Sequence, residues 1–268
     1  MPRLSAGPSR VFPPSALPAP ALPDTDDQES DMSASHFAPS PTATTPHTLD
    51  IDGTRPLCPL LIADVNALCD RLEDAGGTTS AVIRLHGTGP AEDWPGDVGI
   101  DLVSRWEKAL RRLEQGRYPK IVTVEGVCSG PALDVLLTAD HRIGTPGLRI
   151  AVPVTHDGVW AGMALHRLTH QLGGLHARRL VLFGAELSEQ RALAIGLIDQ
   201  TAKNPAAVAA RLARRFARLE PAELAIRRQL VSEAGTTAFE EALGKHLAAC
   251  DRTLRRTRNA LAGARGDA

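Results

Sequence analysis

The sequence predicts an α/β fold with a largely parallel sheet and a helical C-terminal region. Three observations carry this. Short apolar runs of strand length alternate with longer segments of helical spacing, the pattern of consecutive βα units. The stretch Pro119-Lys-Ile-Val-Thr-Val-Glu-Gly126 reads as a buried strand that passes through a glycine turn at Gly130 into a helix. From Ala206 to Leu261 the pattern is mostly helical, interrupted near Pro221 and Gly235.

Residues 1–46 form a separate zone crowded with Pro, Ala, Ser and Thr, as in Val11-Phe-Pro-Pro-Ser-Ala-Leu-Pro-Ala-Pro20. Such a segment buries too little apolar surface to offset its ordering entropy, so a disordered tail is expected. A core over 47–200 and a helical region over 201–268 follow. Leu49 to Gly53 reads as a strand and turn. Leu60 to Leu72 carries Leu61, Val65, Leu68 and Leu72 at helical spacing, and Gly76-Gly77 stops it. Ala81 to Leu85 is a short buried strand. Asp101 to Leu113 is a strongly amphipathic helix, with Leu102, Trp106, Ala109, Leu110 and Leu113 on one face and Asp101 as a cap or first-turn acid. Glu107 and Arg111 stand four apart on that helix and are expected to pair. Ile121 to Val124 is the next strand and Ala132 to Thr138 the next helix. Arg142-Ile-Gly and Arg149-Ile-Ala-Val read as short strands. Helices are expected over 161–171, ended by Gly173-Gly174, and over 176–183. Ser188 caps another that ends at Gly196.

Net charge is −1 over 268 residues, which gives no footprint for nucleic acid or an anionic membrane. No apolar run is long enough to span a bilayer. The four cysteines, Cys58, Cys69, Cys128 and Cys250, make no C-x-x-C pair and no zinc spacing. They read as free, mostly buried thiols, and a reducing cytoplasmic location is expected. No metal and no nucleotide redox cofactor is expected, because the glycine spacings do not open a dinucleotide-binding unit.

A glycine turn running into a helix N-terminus presents backbone N–H groups and a positive dipole end. That is a place for an anion or a developing oxyanion. The order of residues resembles the signature of the crotonase (enoyl-CoA hydratase/isomerase) superfamily over roughly residues 48 to 255. Val82-Ile-Arg-Leu-His-Gly-Thr-Gly, Gly99-Ile-Asp-Leu102, Glu125-Gly126 with Gly130, and Ala139-Asp-His-Arg-Ile each match one of its blocks in order. Leu182-Phe-Gly-Ala-Glu-Leu-Ser188 with Ala192-Leu-Ala-Ile-Gly-Leu-Ile-Asp199 is the most specific block. The resemblance implies a crotonase-like architecture: ββα repeats, a spiral sheet and a C-terminal helical region that makes trimers or hexamers.

It also implies a site. The superfamily aims two N–H donors at a thioester carbonyl and places an acid or base beside it. The first donor corresponds to Ile100, after Gly99. The second falls on Pro131, which has no N–H: either the turn is shifted so that Gly130 donates, or the hole is half built. The first of the two glutamates of a hydratase corresponds to Asp134, one methylene shorter. The second corresponds to Val154, in Ala151-Val-Pro-Val154, so water cannot be held between two carboxylates. His156, Asp157 and Trp160 follow closely enough to enter the same pocket. Arg111, Arg112, Arg117 and Lys120 read as a basic cluster suited to CoA phosphates, and Arg55-Pro56 resembles the edge of the family's CoA site.

Within the superfamily, three segments resemble the DpgB-type proteins of 3,5-dihydroxyphenylglycine biosynthesis. They are Ser104-Arg-Trp-Glu-Lys-Ala-Leu-Arg-Arg-Leu-Glu, Ala222-Glu-Leu-Ala-Ile-Arg-Arg-Gln-Leu230 and Phe239-Glu-Glu-Ala-Leu with His246-Leu-Ala-Ala-Cys-Asp251. This implies a CoA thioester of polyketide origin as substrate, a type III polyketide synthase as partner, and dehydration or aromatisation as the reaction. A catalytically degenerate accessory subunit of that synthase is the rival reading. A general enoyl-CoA hydratase or isomerase is the third.

Overall fold

In the computed structural model, which describes residues 45–266 apart from 77–78, 88, 90–93 and 157, the chain opens with β1 (His47–Asp52), α1 (Pro59–Asp74), β2 (Ala81–Gly87) and α2 (Ile100–Gln115). β3 (Lys120–Cys128), α3 (Gly130–Leu136), β4 (His141–Gly144) and β5 (Arg149–Ile150) follow. Residues 1–44 of the expected tail lie outside the described residues, and at its end the Thr45 carbonyl accepts the Thr79 hydroxyl at 3.1 Å.

β1, β2, β3, β4 and later β9 (Gln200–Thr201) lie side by side in that order, all parallel. Parallel neighbours need crossovers, and α1, α2 and α3 supply the first three. α1 starts at Pro59, where a missing N–H costs nothing, and buries Leu61, Ile62, Val65, Leu68, Cys69 and Leu72. α2 buries Trp106, Ala109, Leu110 and Leu113. Its cap is Gly99, and Asp101 sits in the first turn, where an acid favours the dipole.

β3 is longer than its apolar run Ile121–Val124, over which it pairs with β4, because it also serves β2 and β5 in succession. As far as Gly126 it pairs with β2, and from Val127 it pairs with β5. Gly126 adopts φ +72 at the changeover, a left-handed conformation that glycine reaches without strain. It also faces Gly87 in the register, and a methyl group there would overlap the Gly87 carbonyl. The bend carries the strand away from the flat sheet and delivers Ser129 and Gly130 to the start of α3.

Beyond β5 lies a hairpin of β6 (Val154–Thr155) and β7 (Gly158–Val159). α4 (Met163–Phe183) breaks at Gly173, whose φ of 75 and ψ of 158 are not helical, where two helices were expected to part. β8 (Leu187–Ser188) pairs antiparallel with β5. α5 (Glu189–Ala194) is capped by Ser188, whose Oγ accepts from the Arg191 N–H at 3.3 Å. The hairpin, β8 and β9 were not anticipated, since strands of two residues are too short to display a period.

α6 (Pro205–Phe216) covers the other face of the sheet, over Val82, Ile121 and Ile143. α7 (Pro221–Ala234) is fastened to the core by Arg228. Its guanidinium donates to both carboxylate oxygens of Asp140, at 2.9 and 2.7 Å, and to the carbonyls of Gly116 and Tyr118. α8 (Phe239–Gly266) lies along α7 through ion pairs such as Arg252–Glu223 at 2.8 Å. Between the two runs a groove of about 500 Å³ lined by Ile226, Leu230, His246, Cys250 and Leu254.

Two expectations need correction. Glu107 does not pair with Arg111: Arg111 reaches Glu114 at 2.9 Å, and Glu107 reaches Arg167 of α4 at 3.0 Å. The cysteines are free, but Cys250 is exposed and Cys58 half-buried, leaving only Cys69 and Cys128 in the core. Among the described residues, no helix is long and apolar enough to cross a membrane.

Candidate functional site

Ile100 and Gly130 stand at the starts of α2 and α3. As the first residue of a sixteen-residue helix, Ile100 has no carbonyl one turn behind it to accept its N–H. Its side chain is exposed while its backbone opens the helix after the extended Gly99. Gly130 takes φ +53, and the helix behind it returns the N–H groups of Ala132 and Leu133 to the Ser129 carbonyl. Those two donors are therefore spent inside the turn. Pro131 has none, and Gly130 is the remaining donor of the turn. The buried Oγ of the cap residue Ser129 has no hydrogen-bond partner among the described residues.

One turn along α3 stands Asp134, which is 5% exposed. Burial pushes its carboxyl up to about 7, because the charged form loses its hydration. The Trp106 indole N–H, donating to Oδ2 at 2.9 Å, pulls it back down. Glu107 adds to the rise and Arg167 opposes it. Trp106 is itself 1% exposed and meets Trp94 edge to face, with ring centroids 6.2 Å apart. The Trp94 Nε1 is a second buried polar atom without a partner among the described residues.

A carboxyl that titrates near neutrality beside a glycine turn can take up and return a proton. Cys128, on the adjoining strand end, cannot join this chemistry. It is fully buried, and burial holds its thiol far in the protonated form.

Trp106 was read as a core residue on the apolar face of α2. Its link to Asp134 was not legible, since 28 positions separate the two. The available signal was generic: a buried tryptophan usually finds an acceptor for its N–H. Arg167, which ties Glu107 to α4, gave no sequence signal at all.

Val154 opens the β6–β7 hairpin with its side chain 54% exposed, close to Gly184 after α4. His156 is exposed at the hairpin turn, and Asp157 lies outside the described residues. Trp160 packs half-buried against the main core, its backbone N–H donating to the Pro153 carbonyl at 2.9 Å.

The basic cluster does not assemble. Lys120, the first residue of β3, is fully buried with Nζ 3.1 Å from Asp140, so it cannot present itself to a CoA phosphate. Burial pulls its ammonium down to about 8, although Asp140 works in the opposite direction. Lysine is almost never fully buried unless paired, and Asp140 is that pair. Arg112 is committed to Asp70 and Glu73, each at 2.6 Å. Arg55 is partly exposed and holds Asp64 at 3.0 Å, a partner that a phosphate would have to share.

The profile of a family described as Enoyl-CoA hydratase/isomerase matches residues 101–262. A protein of Amycolatopsis orientalis named "Enoyl-CoA-hydratase" is 46% identical over 209 residues, covering 78% of this chain and 95% of its own. A Polaromonas crystal structure named as an enoyl-CoA hydratase superposes with a TM-score of 0.66 at 18% identity, covering 81% of this chain and 92% of its own. One from Bacillus anthracis, also named an enoyl-CoA hydratase, superposes with a TM-score of 0.64 at 19% identity, covering 79% and 88%. These structures share the fold, and the family profile and the Amycolatopsis relative carry the kinship: the chain belongs to the enoyl-CoA hydratase/isomerase family.

Proposed function

We propose that this protein binds a CoA thioester and catalyses hydratase-like dehydration or enolisation with Asp134 as its acid/base group. The observation that carries this reading is the buried Asp134 carboxyl, held near 7 one turn from the Gly130 turn. The Ile100 and Gly130 N–H groups would hold the thioester carbonyl oxygen. With a 3-hydroxyacyl thioester, Asp134 takes a proton from Cα and the electron pair moves onto that oxygen. The enolate then expels the 3-hydroxyl, which collects the proton from Asp134 and leaves as water. One carboxyl serves both transfers in turn, so Val154 does not preclude the reaction. No cofactor other than the CoA of the substrate is called upon.

The resemblance of the 104–114, 222–230 and 239–251 segments supports a polyketide-derived acyl group on the way to 3,5-dihydroxyphenylacetyl-CoA, beside a type III polyketide synthase. Pro131 and Val154 favour a second reading, an accessory subunit that speeds the synthase without proton transfer. The family also supports general enoyl-CoA hydration as the third. Incubating malonyl-CoA with a synthase that makes dihydroxyphenylacetyl-CoA, with and without this protein, separates them. Wild type should raise the aromatic product and Asp134→Asn should not. Equal stimulation by both would leave the accessory reading standing. Stimulation by neither would remove the polyketide role.

A further inference from the structure

We propose that Trp106 is a positioning residue for Asp134: its indole N–H holds Oδ2, leaving Oδ1 as the oxygen that exchanges a proton with the bound thioester. The inference rests on the reading of Asp134 as the acid/base group. A carboxyl turns broadly about its last torsion, so its reactive oxygen has no fixed direction unless one oxygen is held. Here Oδ2 accepts the indole N–H at 2.9 Å, and Oδ1 takes no hydrogen bond among the described residues.

The donor is rigid. Trp106 is buried in the core and meets Trp94 edge on at an interplanar angle of 72°. The residue after it, Glu107, is tied to the buried Arg167 at 3.0 Å, and Arg167 also reaches Glu114 at 3.7 Å. The helix that carries the indole is therefore pinned to α4, on the far side of Trp106 in sequence from Ile100. The first expected oxyanion donor and the group that orients the acid thus belong to one helix, six positions apart. The titratable and charged groups that face the carboxyl are Glu107 from α2, Arg167 from α4 and the Cys128 thiol from β3.

Carbon-13 NMR of aspartate-labelled protein tests this, with Asp134→Asn assigning the resonance. In Trp106→Phe the carboxylate loses its donor, so the Asp134 midpoint should rise by roughly one to two pH units. Incorporation of the benzothienyl isostere of tryptophan keeps the packing and removes only the N–H, and it should give the same rise. A structural role alone predicts no rise with the isostere, and that result would overturn the proposal. In the synthase-coupled assay, the isosteric protein should turn over at least tenfold more slowly at neutral pH, with its acid limb displaced to higher pH and the KM for thioester little changed. Wild-type rates with the isostere, while Asp134→Asn is inactive, would overturn the positioning role alone. Full activity of Asp134→Asn would instead remove the acid/base reading beneath it.

Discussion

Asp134 has a linkage consequence at the scale of a single residue. Its folded-state affinity for a proton is raised, to about 7 against an ordinary 3.8. Between those values the folded chain holds more protons than the unfolded chain, so stability falls as pH rises through this window. Above pH 7 the charged, buried carboxyl costs at most about 4 kcal/mol. Asp134→Asn removes that cost and keeps an acceptor for the Trp106 N–H. Its melting temperature should therefore exceed that of wild type at pH 8 by several degrees and converge with it at pH 4. A scan of melting temperature against pH checks this, and parallel curves would show that the carboxyl does not titrate across the window. Asp134 was singled out by the family resemblance, as the counterpart of the first glutamate of a hydratase. Its environment was not legible, because the groups that act on it, Trp106 and Glu107 of α2 and Arg167 of α4, come from segments distant in sequence.

At the scale of elements, the helices were legible and their fastenings were not. The three- and four-residue spacing of α1 and α2 placed both helices, and Gly173, Ser188, Pro221 and Gly235 each mark a real boundary. Periodicity is a property of a segment, so it cannot reveal which side chains reach across to another. Arg228 was part of a resembling segment, yet nothing local shows that it reaches back 88 positions to Asp140. Its partly buried fork meets both Asp140 oxygens and two backbone carbonyls. Arg228→Ala should lose about 2 kcal/mol, less than a fully buried pair because water still reaches it. Urea unfolding measures the loss, and hydrogen exchange should quicken first in α7. Unchanged exchange in α7 would mean that the helix is held by other contacts.

For the whole molecule, the α/β class, the parallel sheet and the helical ending followed from the alternation of patterns. The surface that the helices leave open did not. α8 exposes Phe239, Leu243, Leu247 and Leu254, and α7 exposes Val231, an apolar display that ordinary surface scatter does not explain. We propose that these helices meet further copies of the chain, as a trimer or a hexamer. Sedimentation should give a multiple of three chain masses, and Leu243→Asp with Leu247→Asp should yield monomers that keep the fold by circular dichroism. A wild-type monomer at micromolar concentration would rule the assembly out.

β3 joins these scales as a strut. Its nine residues span at most about 26 Å. At one end Asp140, which pairs with Lys120, is gripped by Arg228 from the helical region. At the other, the bend at Gly126 hands the chain to Ser129, Gly130 and the acid beyond. A stiff member held at its base sets where its tip stands, so a helix that reaches the base of the strand also helps to fix the address of the proposed acid at its tip.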